Sequence, residues 1–248
     1  MAGKLTALGS ECYVGSADIS GDIGAVTSMS SPRPTITVTG LNKSAPEKKS
    51  GRRDGAMSFA AFFNVDSGAA HATFSALPRT DVLASVALGT PALGGPIASM
   101  TCKQLDYAPT VGDDGSIGFT VEMAANGYGL EHGELLTTGK QSFSTGTVNG
   151  DSIDLGDTDT SFGAAAYLHV FSVASGTAVF KVQDSDDDVT FADVTGLTFT
   201  GATGATSQRL QTGLTATVRQ YVRLQGSGTH GAAVVAVNFV RYFDTGPA

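Results

Sequence analysis

Apolar and polar residues alternate with a period of two through much of this chain. In SIGFTVEM, Ile117, Phe119, Val121 and Met123 alternate with Ser116, Gly118, Thr120 and Glu122. A strand turns successive side chains to opposite faces, so this pattern predicts a strand with one buried face and one wet face. PTITVTG sets Ile36 and Val38 on one face, and AMSFAAFFNV sets Met57, Phe59, Phe63 and Val65 together. TDVLASVALG gives Val82, Ala84, Val86 and Leu88, and PIASMTCKQL is a further β run. LNKS at 41–44, LGGP at 93–96 and DDGS at 113–116 supply the turns between them.

One segment breaks the period. DSGAAHATFSALP (66–78) opens with Asp66 and Ser67 as candidate N-caps, holds good helix formers and stops before Pro78. Ala70, Phe74 and Leu77 would form its packing stripe. The first half is expected to be an antiparallel sandwich or barrel carrying one helix.

The pattern changes at QSFSTGTVNGDSIDLGDTDT (141–160), which is polar and almost free of large apolar side chains. It reads as the linker and the entry to the next domain, 143–160, between a first domain at 1–142 and a second at 161–248. In the second domain AAYLHVFSV, AVFKVQ, VTFADV, LTFTG, VRQYVRLQG and AAVVAVNFVRYF recur about every ten residues, the spacing of a small β-sandwich. The fold class expected is all-β with one helix in the N-terminal half.

Composition agrees: 32 of 248 residues are Gly and only 15% are charged, which suits a turn-rich β protein. The net charge of −8 argues against binding DNA by phosphate neutralisation, which needs Lys and Arg. Cys12 and Cys102 stand far apart in strand-like surroundings and read as two buried thiols. MAGKLTALGS lacks an apolar run, so no signal peptide is expected. The longest apolar run, AAVVAV at 232–237, is too short for a bilayer, so no membrane insertion is expected.

Candidate chemistry is sparse. In DSDDDVTF, Asp184, Asp186 and Asp188 fit the first three positions of an EF-hand Ca²⁺ loop, but Val189 replaces the turn glycine and Thr195 the closing glutamate. The stretch reads as a hairpin turn before a strand starting at Val189, with a weak Ca²⁺ site as the alternative. GYGLEHG and GELLTTGKQS have the wrong spacing for dinucleotide and phosphate loops. His71, His132, His169 and His230 lie in separate segments without ligand spacing and read as surface or packing residues. Glu131 and Glu134 would serve as acid and base only in a cleft that the sequence does not reveal. No catalytic residue and no cofactor is assigned. The clearest charged feature is NKSAPEKKSGRRDG (42–55), with Lys43, Lys48, Lys49, Arg52 and Arg53. It reads either as a solvated loop or as a protruding loop that docks on an acidic surface of a neighbouring copy. Nucleic-acid binding by this loop, which lacks interleaved aromatics, is the third option.

VTGLNKSAPEKKSGRRDGAMSFAAFFN, HATFSALPRTDV and DDGSIGFTVEMAANGYGLEHGELLTTGK resemble the major tail (tail tube) proteins of long-tailed phages that infect actinobacteria. The resemblance covers about residues 4–140. KVQDSDDDVTFADV and VRQYVRLQG resemble β-sandwich modules appended to phage tail and capsid proteins, with Asp188 where a turn glycine is expected. The resemblance implies subunits that form sixfold rings, stacked into a hollow tube lined by a continuous β-barrel. Double-stranded DNA would pass through without specific binding, and tape-measure and tail-terminator proteins would be partners. It implies a virion tail protein assembled in the host bacterial cytoplasm, with the second domain outside as decoration and residues 1–142 sufficient for tubes. A two-domain β adhesin or carbohydrate-binding surface protein is the alternative. Sugar binding would have to use Tyr167, Tyr221 and Tyr242, since the chain has no Trp.

Overall fold

The computed structural model describes residues 6–156 and 159–243. It is all-β with one short helix. The first half contributes β1 (Glu11–Val14), β2 (Ala17–Asp18), β3 (Ile23–Ser30), β4 (Thr35–Thr37), β5 (Lys48–Ser50) and β6 (Ala56–Phe62). After α1 (Ala70–Phe74) come β7 (Val82–Ala87), β8 (Pro96–Val111), β9 (Ile117–Ala125) and β10 (Glu131–Leu135). Next are β11 (Gln141–Phe143), β12 (Val148–Asp154), β13 (Ala164–Val173) and β14 (Val179–Ser185). The last four are β15 (Ala192–Thr198), β16 (Thr206–Gln211), β17 (Tyr221–Ser227) and β18 (Ala233–Arg241).

The large sheet runs β16-β13-β18-β10-β8-β7-β1-β2, with β11 on β18 and β9, β6 and β3 following from β8. The 16-residue β8 makes this possible. Its first half lies between β7 and β10, and its second half pairs with β9 as far as Val111↔Ile117. A second sheet, β12-β17-β14-β15, stands apart, as does the ribbon β4-β5.

The two larger apolar cores follow from the alternation. Met57 and Phe59 of β6, Phe119, Val121 and Met123 of β9, and Phe74 of the helix bury in the first. The second lies between the sheets: Leu168 and Val170 of β13 and Val235 and Val237 of β18 face Phe180 and Val182 of β14 and Val222 and Leu224 of β17. The segment 143–160, read from sequence as linker and domain entry, carries β12, which pairs along β17 from Val148↔Gly226 to Asp154↔Tyr221. Ile153 of this strand fills the second core; residues 157 and 158 lie outside the described residues.

Several expectations are corrected. The helix is five residues long, and neither Asp66 nor Ser67 caps it. Gly68 at φ +79° turns the chain out of a helical path, so the cap comes from elsewhere: the Asp22 carboxylate accepts from Ala70 N–H at 2.9 Å. Ala70 and Phe74 are buried, but Leu77 is exposed, at φ +42°. β6 ends at Phe62, leaving Val65 exposed. Ile36 and Val38, expected on a core face, are also exposed. β15 begins at Ala192, not Val189, which sits exposed in the turn.

β7 buries both faces, because Leu83, Ser85 and Ala87 are as enclosed as Ala84 and Val86. The layer over that second face is β13 and β18. The crossing is close at Gly133 of β10: a Cβ there would stand 2.2 Å from the Phe239 carbonyl oxygen. Cys12 and Cys102 are free and buried, and burial pushes the Cys102 thiol up to about 12.

Candidate assembly interface

Every residue from Ser30 to Ser50 is exposed. Within this span β4 and β5 pair antiparallel, Thr35↔Ser50, Ile36↔Lys49 and Thr37↔Lys48. Backbone bonds extend the ribbon in both directions, from Val38 N to Glu47 O (2.9 Å) and from Asp54 N to Pro32 O (3.0 Å). The basic segment is therefore half of a β-arm. From Pro32 to Leu41 it can reach roughly 30 Å at about 3.3 Å per residue. Ile36, Val38 and Leu41 on it are open to solvent, Leu41 completely.

The five cations expected to act together separate into three settings. Lys43 pairs with Glu47 at 2.9 Å on the arm itself. Among the described residues Lys48, Lys49 and Arg52 make no ion pair, and Lys49 shares a ribbon face with Ile36. Arg53 turns inward, its Nη1 lying 3.8 Å from Oε1 of the fully buried Glu131.

Glu131 is the centre of a network that sequence reasoning missed. Its carboxylate accepts from Arg209 Nη2 (2.9 Å), Tyr242 Oη (2.8 Å) and Tyr167 Oη. Arg209 also donates from Nε to Tyr167 Oη (3.0 Å) and lies over the Tyr128 ring at 3.5 Å. Burial disfavours the Arg209 cation, but Tyr167 and Glu131 outweigh it and hold the guanidinium charged. Burial, then the Glu131 charge, pushes both tyrosine hydroxyls upward. Glu134, three residues along β10, points to the opposite face of the strand, so the two glutamates form no acid–base pair.

A second buried chain lies alongside. Asn238 Nδ2 donates to Ser99 Oγ (2.7 Å), Ser99 meets Ser85 at 2.6 Å, and Ser85 Oγ meets His169 Nε2 at 2.7 Å. His169 Nδ1 bonds the Gly15 carbonyl at 2.7 Å. A carbonyl only accepts, so Nδ1 carries the proton and Nε2 accepts from Ser85. Burial lowers the His169 pKa to about 4. This serine–histidine contact is sealed from solvent and serves packing. The signal for both networks was AAAYLHV in β13, apolar on both faces with a Tyr and a His among the alanines. A strand buried on both faces reads this way.

The other histidines differ. His71 Nδ1 bonds Tyr107 Oη at 2.6 Å and its ring packs on Phe63 at 4.3 Å, His230 is buried against Gly231, and His132 is exposed. Tyr167 and Tyr242 are buried and Tyr221 half-buried, so the second half offers no tyrosine platform for sugars.

The aspartate turn is spent on structure. Asp184 is buried and accepts from Arg219 N (3.0 Å), and Asp186 pairs with the Arg219 side chain at 3.6 Å. Asp187 accepts from the N–H groups of Thr190 (2.7 Å) and Val189 (3.0 Å), which hold its carboxyl well below the usual range. Asp188, at φ +56°, accepts from Ser152 Oγ. Among the described residues no group of three His, Cys, Asp or Glu side chains is placed to hold a metal ion. Among the described residues no helix is long and apolar enough to cross a membrane.

No protein-family model and no curated protein matches this chain. Solved structures that superpose on it include the tail of an empty gene transfer agent particle, refined with C6 helical symmetry. It is 17% identical over 44% of this chain and 81% of that one, with a TM-score of 0.34. A native gene transfer agent virion gives 17% identity over 44% and 82%, with a TM-score of 0.33. The Dit protein of phage SPP1, a hub of the adsorption apparatus in phages infecting Gram-positive bacteria, gives 12% identity over 94% and 99%, with a TM-score of 0.31. Superpositions this loose carry no weight in the function argued below.

Proposed function

We propose that this protein is a structural virion subunit that assembles into stacked sixfold rings, forming the tail tube of a long-tailed phage. The observation that carries the proposal is the exposed arm. An isolated two-stranded ribbon is at best marginally stable in water. This one displays Ile36, Val38 and Leu41 together with Lys48, Lys49 and Arg52, and none of the described residues covers them. A cationic, partly apolar arm on a chain of net charge −8 has its natural complement on a second copy. An arm reaching a different patch on the next subunit makes a head-to-tail contact, which closes into rings or propagates.

The sequence resemblance supplies the rest of the reading. Strands of residues 1–142, continuous with β13 and β18 in one sheet, build the wall, and the second sheet, β12-β17-β14-β15, lies outside as decoration. An acidic subunit presents a lumen through which DNA slides without being held. Tape-measure and tail-terminator proteins are the further partners, and assembly takes place in the host cytoplasm. Negative-stain microscopy of the purified protein tests the proposal, with rings or hollow tubes expected. Lys48, Lys49 and Arg52 changed together to Ser should abolish tubes while leaving the unfolding midpoint unchanged. Arg53 stays intact in that variant because it faces Glu131. Normal tubes from the triple variant would remove the arm from the interface.

A further inference from the structure

At the root of the arm an open pocket of about 610 Å³ gathers Arg33, Arg53, His132 and Arg241, with Val240 and Phe243 as apolar wall. The four basic side chains come from three places: the two ends of the arm, β10 and β18. Arg53 Nε is buried there without a hydrogen-bond partner. A buried guanidinium N–H left unpaired is costly, and a carboxylate is its strongest complement. In so acidic a molecule this concentration of cations stands out.

The complement lies at the far end of the same sheet. The β8–β9 hairpin ends in a tight turn, closed by Gly112 N to Ser116 O (2.8 Å) and Gly115 N to Gly112 O (3.0 Å). Its tip carries Asp113 and Asp114, flanked by Val111 at 74% and Ile117 at 46% exposure. Asp114 accepts from Ser116 N and Oγ (3.0 and 2.7 Å). Asp113 has no partner among the described residues. Two carboxylates between two apolar side chains match a cationic pocket with an apolar wall.

The tip does not reach the pocket of its own subunit. His132 pairs with Ala98, and the tip begins beyond Val111, so the two sites are separated by thirteen residues of one continuous strand. At about 3.3 Å per residue that is roughly 40 Å. We infer that the Asp113–Asp114 tip of one copy seats in the arginine pocket of the next, a head-to-tail contact distinct from that of the arm's free end. This rests on the self-assembly proposed above and names a second pair of surfaces for it.

The test is an engineered cross-link in the full chain. Arg33 and Asp113 are both exposed, and Cys12 and Cys102 are buried, so R33C/D113C places the only reactive thiols at the two sites. Under mild oxidation the double variant should give a reducible ladder of three or more subunits, whereas each single variant should stop at dimers. A double variant that stops at dimers or monomers overturns the contact. Microscopy of the unmodified chain decides the tube reading separately. Tubes without a ladder leave that reading standing and end this one; a ladder without tubes does the reverse.

Discussion

Two residues show how burial and backbone geometry set what this chain tolerates. His169 is buried and neutral, bonded through both ring nitrogens. An unfolded histidine takes up a proton near pH 6.5, and this one, desolvated, only near 4. Over that window unfolding gains a proton, so stability is full above about pH 6.5 and falls as pH drops towards 4. At about 1.4 kcal/mol per pH unit the loss is ~3 kcal/mol. Urea unfolding at several pH values should show this slope in the parent and lose it in His169→Gln; equal slopes would exclude His169 as the source. Asp188 holds φ +56° where a turn glycine is expected, a conformation that costs most side chains ~1–2 kcal/mol. Asp188→Gly should stay within about 0.5 kcal/mol of the parent, because relief of the backbone offsets the lost Ser152 contact. Asp188→Val should lose ~1–2 kcal/mol. Denaturant midpoints for the pair check this, and a tolerated valine would contradict it.

At the scale of elements, alternation made β6, β9 and β14 visible, because each buries an apolar face, while β13 and β18, buried on both faces, were visible as unbroken apolar runs. It did not reveal β16, whose TSQRLQ is polar apart from Leu210 and half-buried by its place at the sheet end. Nor did it reveal β12, whose small and polar residues join the sheet by backbone pairing between two apolar anchors, Val148 and Ile153. The arm was legible as a charged segment, but not as a ribbon, since its strands are only three residues each. Arg53 shows the limit: adjacent to Arg52 in sequence, it turns to a carboxylate 78 positions away, a contact that no local pattern encodes. β10 meets β18 closely at Gly133. Gly133→Ala drives a methyl group into the Phe239 carbonyl, and we expect a loss of ~2–3 kcal/mol in the chemical unfolding free energy. A neutral substitution would mean that β10 can move off β18.

For the whole molecule, the division of the chain near residue 142 meets a sheet that runs through both halves. Leu135↔Asn238 pairs them, and Glu131 takes its partners Tyr167, Arg209 and Tyr242 from the second half. A chain ending at residue 142 would leave that carboxylate and the edge of β10 bare. We expect it to lose its cooperative thermal transition, against the expectation from resemblance that residues 1–142 suffice for tubes. A sharp calorimetric transition in this fragment would restore that expectation.

The buried polar layer also bears on the order of events during synthesis. Its bonds span long separations in sequence: 139 residues from Ser99 to Asn238, 111 from Glu131 to Tyr242 and 154 from Gly15 to His169. The first two cannot close until nearly the whole chain has left the ribosome, the third not before β13 has emerged, and pairings this distant fold slowly. Until β18 arrives, β10 is an unpaired edge, the kind of surface on which nascent β proteins aggregate. The residue waiting at that edge is a glutamate, with two serines of the adjoining strands behind it. Charge and hydroxyls oppose aggregation of the unfinished edge, and the last strand, with Asn238 and the adjoining Tyr242, completes the bonds that β13 and β16 begin.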